Sequence, residues 1–247
     1  NSFLASSITF INEISSICEY SNANAKEVEE GLKSETRIGR KAFLSPGIPF
    51  AGGTLGRDVN YLNDISKKMK LNTKLLSSIR ISNENHKQWI YDYLKHLILN
   101  KKIKKVLIWG LTYTENTDTL RRSLSLEISS WLQNYNVKVN SFDNNIKKLP
   151  TELNKTVNLL STPTAGISST DVLIILGKSK DFLKISSNEL KKINKKLVII
   201  DPNNFCSHFE KIYKDKYIYV GKRSPSFLTN IPTINFDYNL NNQVVIV

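Results

Sequence analysis

Apolar residues recur at helical spacing through the first part of the chain. Along residues 3–20 an apolar side chain returns every three or four positions, at Leu4, Ile8, Ile11, Ile14 and Cys18. This spacing is typical of an amphipathic α-helix. Further apolar residues widen the stripe, at Phe3, Phe10 and Ile17. A stripe of this width predicts a helix that is buried on two sides, as at a subunit interface.

More helices are predicted before residue 101, at residues 25–32, 54–69 and 73–100. Gly31 lies close to the end of the first of these. Thr54 is the candidate N-cap of the second, and Asp58 follows in its first turns, where a carboxylate interacts favourably with the helix dipole. His86 and His96 on the third helix have no Cys or acidic residue at metal-ligand spacing. We interpret both histidines as surface or structural residues.

After Lys101 the pattern changes to short apolar runs separated by polar loops. The strand candidates, the three clearest first, are residues 106–109, 172–176, 197–200, 137–139 and 157–160. Helices are expected at residues 121–133 and 187–193. This alternation predicts βαβ units and a mostly parallel sheet. Asp143 and Asp201 close two of the strands, at the carboxyl ends where α/β sheets bind ligands.

These patterns predict a mixed fold, with an all-α domain over residues 1–100 and an α/β, Rossmann-like domain over residues 101–247. A dinucleotide-binding fold needs a Gly-x-Gly-x-x-Gly turn after its first strand. Gly110 is a lone glycine after its strand, and the glycines of residues 52–56 have another spacing and follow no strand. The second domain is therefore expected to lack a self-sufficient NAD site. Residues 231–247 are expected to form an edge strand or a loose end.

Composition narrows the possible partners. The net charge of +13 suggests nucleic-acid binding, but the lysines are scattered or paired, and there is neither zinc-finger spacing nor an RNP-like aromatic motif. We therefore expect no nucleic-acid partner. The chain has no run of 18 apolar residues, so no membrane span is expected. Its two cysteines are too few for a disulfide framework, and a reducing, cytoplasmic setting fits best.

The stretch from residue 36 to residue 58 carries the most candidate chemistry. It has an arginine near each end, two prolines, a glycine pair and an acid beside the second of these arginines, namely Arg37, Arg57, Pro46, Pro49, Gly52, Gly53 and Asp58. Proline interrupts helices, and glycine lets a ligand approach the backbone closely. A rigid loop that ends in an Arg-Asp pair at the start of a helix favours an anion site. An ordinary interhelical connection with solvated charges is the alternative.

This stretch resembles the central motif of the UDP-glucose/GDP-mannose dehydrogenase family. Residues 37–39 (Arg-Ile-Gly), the glycine pair 52–53 and the pair Arg57-Asp58 stand where that family has Arg-Ile-Gly, a glycine-rich turn and Lys-Asp. Residues 1–5 and 10–14 resemble the opening of the family's central helix. The resemblance covers nearly the whole chain but only the last two-thirds of a family member.

The resemblance implies an enzyme that oxidises the C6 alcohol of a nucleotide sugar twice, to the acid, and reduces two NAD molecules. It implies a UDP-sugar substrate, with the UDP-glucose branch favoured over the GDP-mannose branch. It also implies a homodimer formed through the N-terminal helices. The main NAD site would lie in an N-terminal domain outside this chain, so the chain alone is expected to be inactive. A C6 acid of this kind points to polysaccharide biosynthesis.

Position by position, the resemblance also implies residue roles. Asn1 matches an asparagine that steadies the oxyanion, Asp58 an acid that orients water, and Thr54 the position of the nucleophile. The substrate-binding positions are Arg37, which would reach across the dimer, and Phe43, Leu44, Gly47 and Gly52. The cofactor-binding positions are Arg57 and Arg121, the latter in the stretch 116–121. For each arginine an ordinary ion pair is the alternative.

The departures from the family pattern are as informative as the matches. Thr54 replaces the nucleophilic cysteine, Thr114 a substrate-binding lysine, and Asn203 an arginine. An unactivated hydroxyl is a far weaker nucleophile than a thiolate. The full-length parent is therefore expected to stop at the aldehyde or to turn over slowly. The alternative is a non-catalytic or regulatory homologue that dimerises and binds a nucleotide sugar.

Overall fold

The computed structural model describes residues 1–21, 23–112 and 117–222. Its first part, residues 1–101, contains the helices α1 (Ser2–Ser21), α2 (Ala25–Ser34), α3 (Thr54–Lys68) and α4 (Lys74–Lys101), and we call it the helical part. The predicted helices are confirmed, with two corrections. Helix α2 continues through Gly31, and Thr54 is the first residue of α3 rather than its N-cap. Gly53 occupies the cap position, because its ψ of −129° is outside the helical region.

Helix α1 packs against α2, α3 and α4 with a face of small residues. Ala5 is completely buried beside Val59 of α3 and Ile79 of α4. The outer part of the predicted stripe is not buried within this chain, since Phe3 is 81% exposed, and Phe10 and Ile17 are also exposed. The helix is therefore covered on one side only, and its role at a subunit interface stays a prediction.

A six-stranded parallel sheet follows, with the strand order β3-β2-β1-β4-β5-β6. Its strands are β1 (Lys105–Trp109), β2 (Lys138–Phe142), β3 (Asn158–Leu159), β4 (Val172–Ile175), β5 (Val198–Ile200) and β6 (Tyr217–Ile218). We call residues 105–222 the sheet part. The predicted parallel arrangement is confirmed. The order reverses direction between β1 and β4, as in doubly wound nucleotide-binding folds.

Four α-helices of the sheet part lie among the described residues, and they are α5 (Leu124–Gln133), α6 (Lys180–Leu183), α7 (Ser187–Ile193) and α8 (Glu210–Tyr213). Helix α5 begins three residues later than predicted. The reason is that Arg122 adopts a left-handed backbone with φ of 61°, after which the Ser123 hydroxyl oxygen caps the helix by accepting from Leu126 N. The short elements α6, α8 and β6 were not predicted, because they are too brief to show a period.

The two faces of the sheet bury separate clusters of apolar side chains. One face packs against α4 and α5, and these helices contribute fully buried residues that include Leu94, Leu97, Ile128 and Leu132. The other face surrounds Trp109, whose ring stacks on Phe182 at 4.7 Å between centroids. Because α4 belongs to the core of the sheet, the helical part and the sheet part are packed against each other. The division into domains at residue 100 stays a prediction.

A buried carboxylate connects three distant segments. Glu19 of α1 accepts hydrogen bonds from Trp89 Nε1 of α4 at 2.9 Å and from Gly221 N, after β6, at 2.8 Å. Burial raises the pKa of Glu19 to about 7. Gly221 has φ of +86°, and a Cβ there would lie 2.3 Å from the Ala25 Cβ. We call this contact the Glu19 junction.

Some expectations concern residues outside the described ones, namely Thr114, Asn116 and the tail 231–247. Within residues 1–21, 23–112 and 117–222, no helix has both the length and the apolar character that crossing a bilayer requires. The same residues contain no group of three His, Cys, Asp or Glu side chains placed to hold a metal ion.

Candidate active site

The start of α1 and the start of α3 bring three of the predicted site residues together. Asn1 Nδ2 donates to Asp58 Oδ2 at 2.6 Å, and Arg57 Nε donates to Asp58 Oδ1 at 2.9 Å. These hydrogen bonds, that of Asn1 first and that of Arg57 second, lower the pKa of Asp58 below its ordinary value. Asp58 is therefore an ionised carboxylate at neutral pH and accepts hydrogen bonds without donating any. We call Asn1, Arg57 and Asp58 the carboxylate cluster.

Thr54 lies one helical turn before the carboxylate cluster. It is exposed at the first position of α3, and residues four apart on a helix share a face, so its hydroxyl is on the same side as Asp58. The chain has two cysteines, Cys18 and Cys206, and both are buried with a raised pKa. Neither lies on this turn. The role of Thr54 at the position of the nucleophile stays a prediction.

The loop from Gly47 to Gly52, which leads to Thr54, is held by side chains of the helical part. Gly47 N donates to Asn12 Oδ1 at 3.0 Å, and His86 Nε2 donates to Gly47 O at 2.8 Å. Burial lowers the pKa of His86, so the ring is neutral at neutral pH. Asn83 binds both the N–H and the C=O of Phe50 at 2.9 Å. These hydrogen bonds hold Gly47 and Phe50 against the helical part.

Two residues of the sheet part contact the same loop. Ile48 N donates to Asn203 Oδ1 at 3.1 Å, and Arg122 Nη1 donates to Gly52 O at 2.6 Å. We call these two hydrogen bonds the clasp. The contacts of these two residues with the loop, and those of Asn12, Asn83 and His86, were not predicted from the sequence. A polar side chain on a helix or in a turn gives no sign in the sequence of which backbone group it will bind.

A crevice of about 580 Å³ opens at the carboxyl ends of β1 and β4, where the strand order reverses. Ile48 of the loop and Asn203 line it, together with Gly110 and two lysines, Lys178 and Lys180. Its volume is in the range of small-molecule sites, and this place in the fold is where α/β sheets bind ligands. Two aspartates, Asp143 and Asp181, also line it, but Asp143 is bound by backbone N–H groups and Asp181 by Asn144 and Lys184. The two lysines are therefore the charged groups that a ligand can meet. The crevice therefore suits an anionic ligand that reaches toward the loop.

The two aspartates that follow β2 and β5, Asp143 and Asp201, accept hydrogen bonds from other groups of the sheet part. Asp143 Oδ2 accepts from Leu111 N at 2.7 Å and Thr112 N at 2.9 Å, and Oδ1 accepts from Asn145 N at 2.8 Å. Asp201 is fully buried, and its Oδ2 accepts from Tyr217 Oη. Both lie at carboxyl ends of strands as predicted. Asp143 lines the crevice with its oxygens already in use, whereas Asp201 lies beneath the surface.

The remaining predicted site residues lie apart from the carboxylate cluster. Arg37 is exposed and forms three hydrogen bonds with Glu35, two from its guanidinium and one from its backbone N–H, which lower the pKa of Glu35 to about 2. Arg121 is exposed, and its side chain forms no hydrogen bond with the described residues. Phe43 is 54% exposed, whereas Leu44 is buried. Their predicted roles are thus not realised by contacts within this chain, and they stay predictions.

Comparisons with known proteins agree with this geometry. The sequence profile of the UDP-glucose/GDP-mannose dehydrogenase family, central domain, matches residues 1–85, and that of the family's UDP binding domain matches residues 107–208. The chain is 31% identical over 220 residues to the UDP-glucose 6-dehydrogenase TuaD of Bacillus subtilis, covering 89% of this chain and 47% of that protein. It is 32% identical over 213 residues to the UDP-glucose 6-dehydrogenase of Rickettsia prowazekii, covering 84% and 48%.

A solved structure shows the same fold. The UDP-glucose dehydrogenase of Pyrobaculum islandicum matches with a TM-score of 0.72 at 20% identity, over 89% of this chain and 48% of that one. The chain spans about half the length of the curated relatives it matches. With two profiles of one family covering both the helical part and the sheet part, the chain belongs to the UDP-glucose/GDP-mannose dehydrogenase family.

Proposed function

We propose that this chain is the central and C-terminal portion of an NAD-dependent nucleotide-sugar 6-dehydrogenase that acts on a UDP-glucose-like substrate. In the full-length parent it would oxidise the sugar C6 alcohol to the aldehyde or the uronic acid, for use in polysaccharide biosynthesis. The observation that carries the proposal is the carboxylate cluster, which lies beside Thr54 at the end of a loop that also lines an anion-suited crevice. Two buried free cysteines fit the cytoplasmic setting of such an enzyme.

In this proposal the crevice holds the nucleotide and the turn at Thr54 meets the sugar. Lys178 and Lys180 balance the charge of a diphosphate. The ionised Asp58 orients a water molecule by accepting its hydrogen bond, and the Asn1 amide supplies a donor for a developing oxyanion. Loop residues from Phe43 to Gly52 form the wall on the sugar side.

The main NAD site is proposed to lie outside this chain. The turn after β1 has no Gly-x-Gly-x-x-Gly, and a Cβ on Gly110 would lie 2.3 Å from Gly177 N, so the backbones of the β1 and β4 ends already touch. The oxygens of Asp143, which could otherwise bind a ribose, are used by backbone N–H groups. In the proposal NAD is therefore bound by the missing domain, with Arg57 and Arg121 facing it.

Homodimerisation through the N-terminal helices is part of the proposal. Large apolar side chains lie along one exposed face of α1, at Phe3, Phe10, Ile17 and Tyr20. A contiguous exposed apolar face of this kind is typical of an interaction surface. Arg37, exposed in this chain, would then be available to the neighbouring subunit's substrate.

We expect the 247-residue chain to bind UDP but not to oxidise UDP-glucose. Binding is measured by calorimetry with UDP, and oxidation by NADH absorbance. Replacing Lys178 and Lys180 together by alanine should weaken UDP binding by at least about tenfold, because charge-assisted hydrogen bonds are lost. The control pair is Lys67 and Lys68, exposed at the end of α3. Formation of NADH by the chain alone, or absence of UDP binding, would contradict the proposal.

In the full-length parent, Thr54→Cys should increase uronic acid production by at least about tenfold, because a thiolate carries an acyl intermediate far better than an alcohol. The product is measured by chromatography after incubation with UDP-glucose and NAD. The control is Thr54→Ser, which keeps a hydroxyl and should remain slow. If the parent and the Cys variant form the acid equally fast, the limiting role of Thr54 is wrong.

The alternative function is a non-catalytic homologue that dimerises and binds a nucleotide sugar. The observation in its favour is Thr54 itself, exposed at the nucleophile position with no thiolate nearby. The two functions differ in one readout. The full-length non-catalytic homologue binds UDP-glucose and produces no NADH, whereas a dehydrogenase that stops at the aldehyde produces one NADH for each sugar.

A further inference from the structure

Several backbone groups of the Gly47–Gly52 loop are hydrogen-bonded from two sides. Asn12, Asn83 and His86 of the helical part bind the groups of Gly47 and Phe50. Buried or partly buried backbone groups need such partners, since leaving them unpaired costs free energy. These contacts fix the first half of the loop and its middle. They leave the amide of Ile48 and the carbonyl of Gly52 to be bound from elsewhere.

The clasp binds the amide of Ile48 and the carbonyl of Gly52, through one acceptor and one donor of the sheet part, Asn203 and Arg122. Asn203 Oδ1 accepts from Ile48 N and lies so close to Gly47 that a Cβ there would be 2.2 Å away. Arg122 Nη1 reaches the Gly52 carbonyl, with its Cδ 3.9 Å from the place of a Gly52 Cβ. Gly47 thus makes room for the Asn203 side chain, whereas a Cβ on Gly52 would be in ordinary van der Waals contact with Arg122.

Arg122 has features that an ordinary surface arginine lacks. Its φ of 61° lies in the left-handed region, which is unfavourable for a residue with a side chain. Among the ion pairs of the described residues none includes Arg122, and its guanidinium binds a neutral carbonyl instead. A strained backbone that aims a charged side chain at one carbonyl indicates a positioning role.

The carbonyl that Arg122 holds is next to the start of α3. Gly53 is the N-cap of that helix, and Arg57 N donates to Gly53 O at 2.9 Å. Fixing Gly52 therefore fixes the first turn, which carries Thr54, Arg57 and Asp58. At the other end of the clasp, Ile48 and Asn203 both line the crevice. The clasp thus connects the wall of the crevice to the turn of the carboxylate cluster.

We propose that Arg122 and Asn203 are positioning residues, which hold the Gly47–Gly52 loop and the Thr54 turn in register with the crevice. This role rests on the proposed function, since the ligand of the crevice is taken to be a nucleoside diphosphate. A diphosphate that fills the crevice contacts Ile48 and Asn203 and tightens the clasp. The turn at Thr54 is thereby ordered when the nucleotide is bound.

The test is amide hydrogen exchange of residues 48–57 in the 247-residue chain, followed by mass spectrometry, without ligand and with UDP. Without ligand, Arg122→Ala and Asn203→Ala should each speed exchange in this segment about fivefold to tenfold, the effect of one lost hydrogen bond. Arg122→Lys keeps a donor and Asn203→Asp keeps the acceptor oxygen, so both should retain most of the protection. A purely structural effect of side-chain removal would not be rescued in this way.

The matched controls are Arg80→Ala on α4 and Asn60→Ala on α3, which remove exposed side chains of the same types. If these controls speed exchange in residues 48–57 as much as Arg122→Ala and Asn203→Ala do, the clasp has no positioning role. Equal exchange in the parent chain and in both clasp variants overturns it as well.

The exchange measurements with UDP distinguish a failure of the clasp proposal from a failure of the proposed function. UDP should slow exchange of residues 48–57 in the parent chain and fail to do so in the Arg122→Ala/Asn203→Ala double variant. If UDP slows exchange equally in the unsubstituted chain and in the double variant, the clasp does not couple the crevice to the turn at Thr54. If the parent chain does not bind UDP, the proposed function fails, and the ligand-free measurements still decide whether the clasp positions the loop.

Discussion

Replacement of Gly110 by alanine should destabilise the chain by about 3 kcal/mol or more, because it combines a steric clash with an unfavourable backbone conformation. A Cβ at this position would lie 2.3 Å from Gly177 N and 2.4 Å from Gly177 Cα, and neither backbone atom can rotate away. The φ of Gly110 is +94°, which residues with side chains rarely adopt. Urea unfolding followed by circular dichroism measures the loss.

Gly31→Ala is the matched control. Gly31 lies inside α2, and nothing lies within 4 Å of its expected Cβ. Alanine there should stabilise the chain by up to about 1 kcal/mol, the difference in helix propensity. A Gly110→Ala variant as stable as the parent chain would show that the β1 and β4 ends can separate, and the close contact of the two backbones would then have no structural importance.

Glu19→Gln should remove a component of the pH dependence of stability. The pKa of Glu19 is about 7 in the folded chain, raised by burial, and about 4.5 in the unfolded chain. Between these values the folded chain binds more protons, so the free energy of unfolding falls as pH rises from about 4.5 to about 7. Glutamine cannot ionise. Compared with the unsubstituted chain, the free energy of unfolding of the variant should therefore rise by up to about 3 kcal/mol between pH 5 and pH 8.

The measurement is urea unfolding of the unsubstituted chain and of Glu19→Gln at several pH values. The difference in their free energies of unfolding is plotted against pH. The depressed pKa of His86 contributes with the opposite sign but equally in both chains, so it cancels. Glu30→Gln, at an exposed position on α2, is the control for the loss of one carboxylate. If the difference in free energy of unfolding between Glu19→Gln and the unsubstituted chain does not change with pH, water reaches this carboxylate in the folded chain.

Periodic elements were predictable from the sequence, and elements without a period were not. The four helices of the helical part and the strands β1, β4 and β5 have runs long or apolar enough to show their type. Helix α5 was placed three residues early, since the left-handed Arg122 interrupts a pattern that otherwise continues. Strand β6 has two residues, Tyr217 and Ile218, and such a strand exists only because β5 lies beside it.

The candidate site divides in the same way. Asn1, Arg57 and Asp58 were predicted from a resemblance, and the structure brings them into one hydrogen-bonded cluster. Arg122 was missed although it neighbours the predicted Arg121. The choice between two adjacent arginines depends on backbone φ, which a sequence does not show. Asn203 was noticed only as a replaced arginine, because its partner Ile48 lies 155 residues earlier in the chain.

The Glu19 junction has a consequence for the order of events during synthesis. Glu19 and Gly221 are 202 residues apart, so α1 is made long before its last hydrogen-bond partner. At about 5–20 residues per second, the delay is on the order of 10–40 seconds. During that time the carboxylate needs water, because an ionised group buried without partners is costly. Until then Trp89 is the one of these two partners that the nascent chain can offer Glu19, so we expect this end of α1 to stay hydrated until residue 221 has been made.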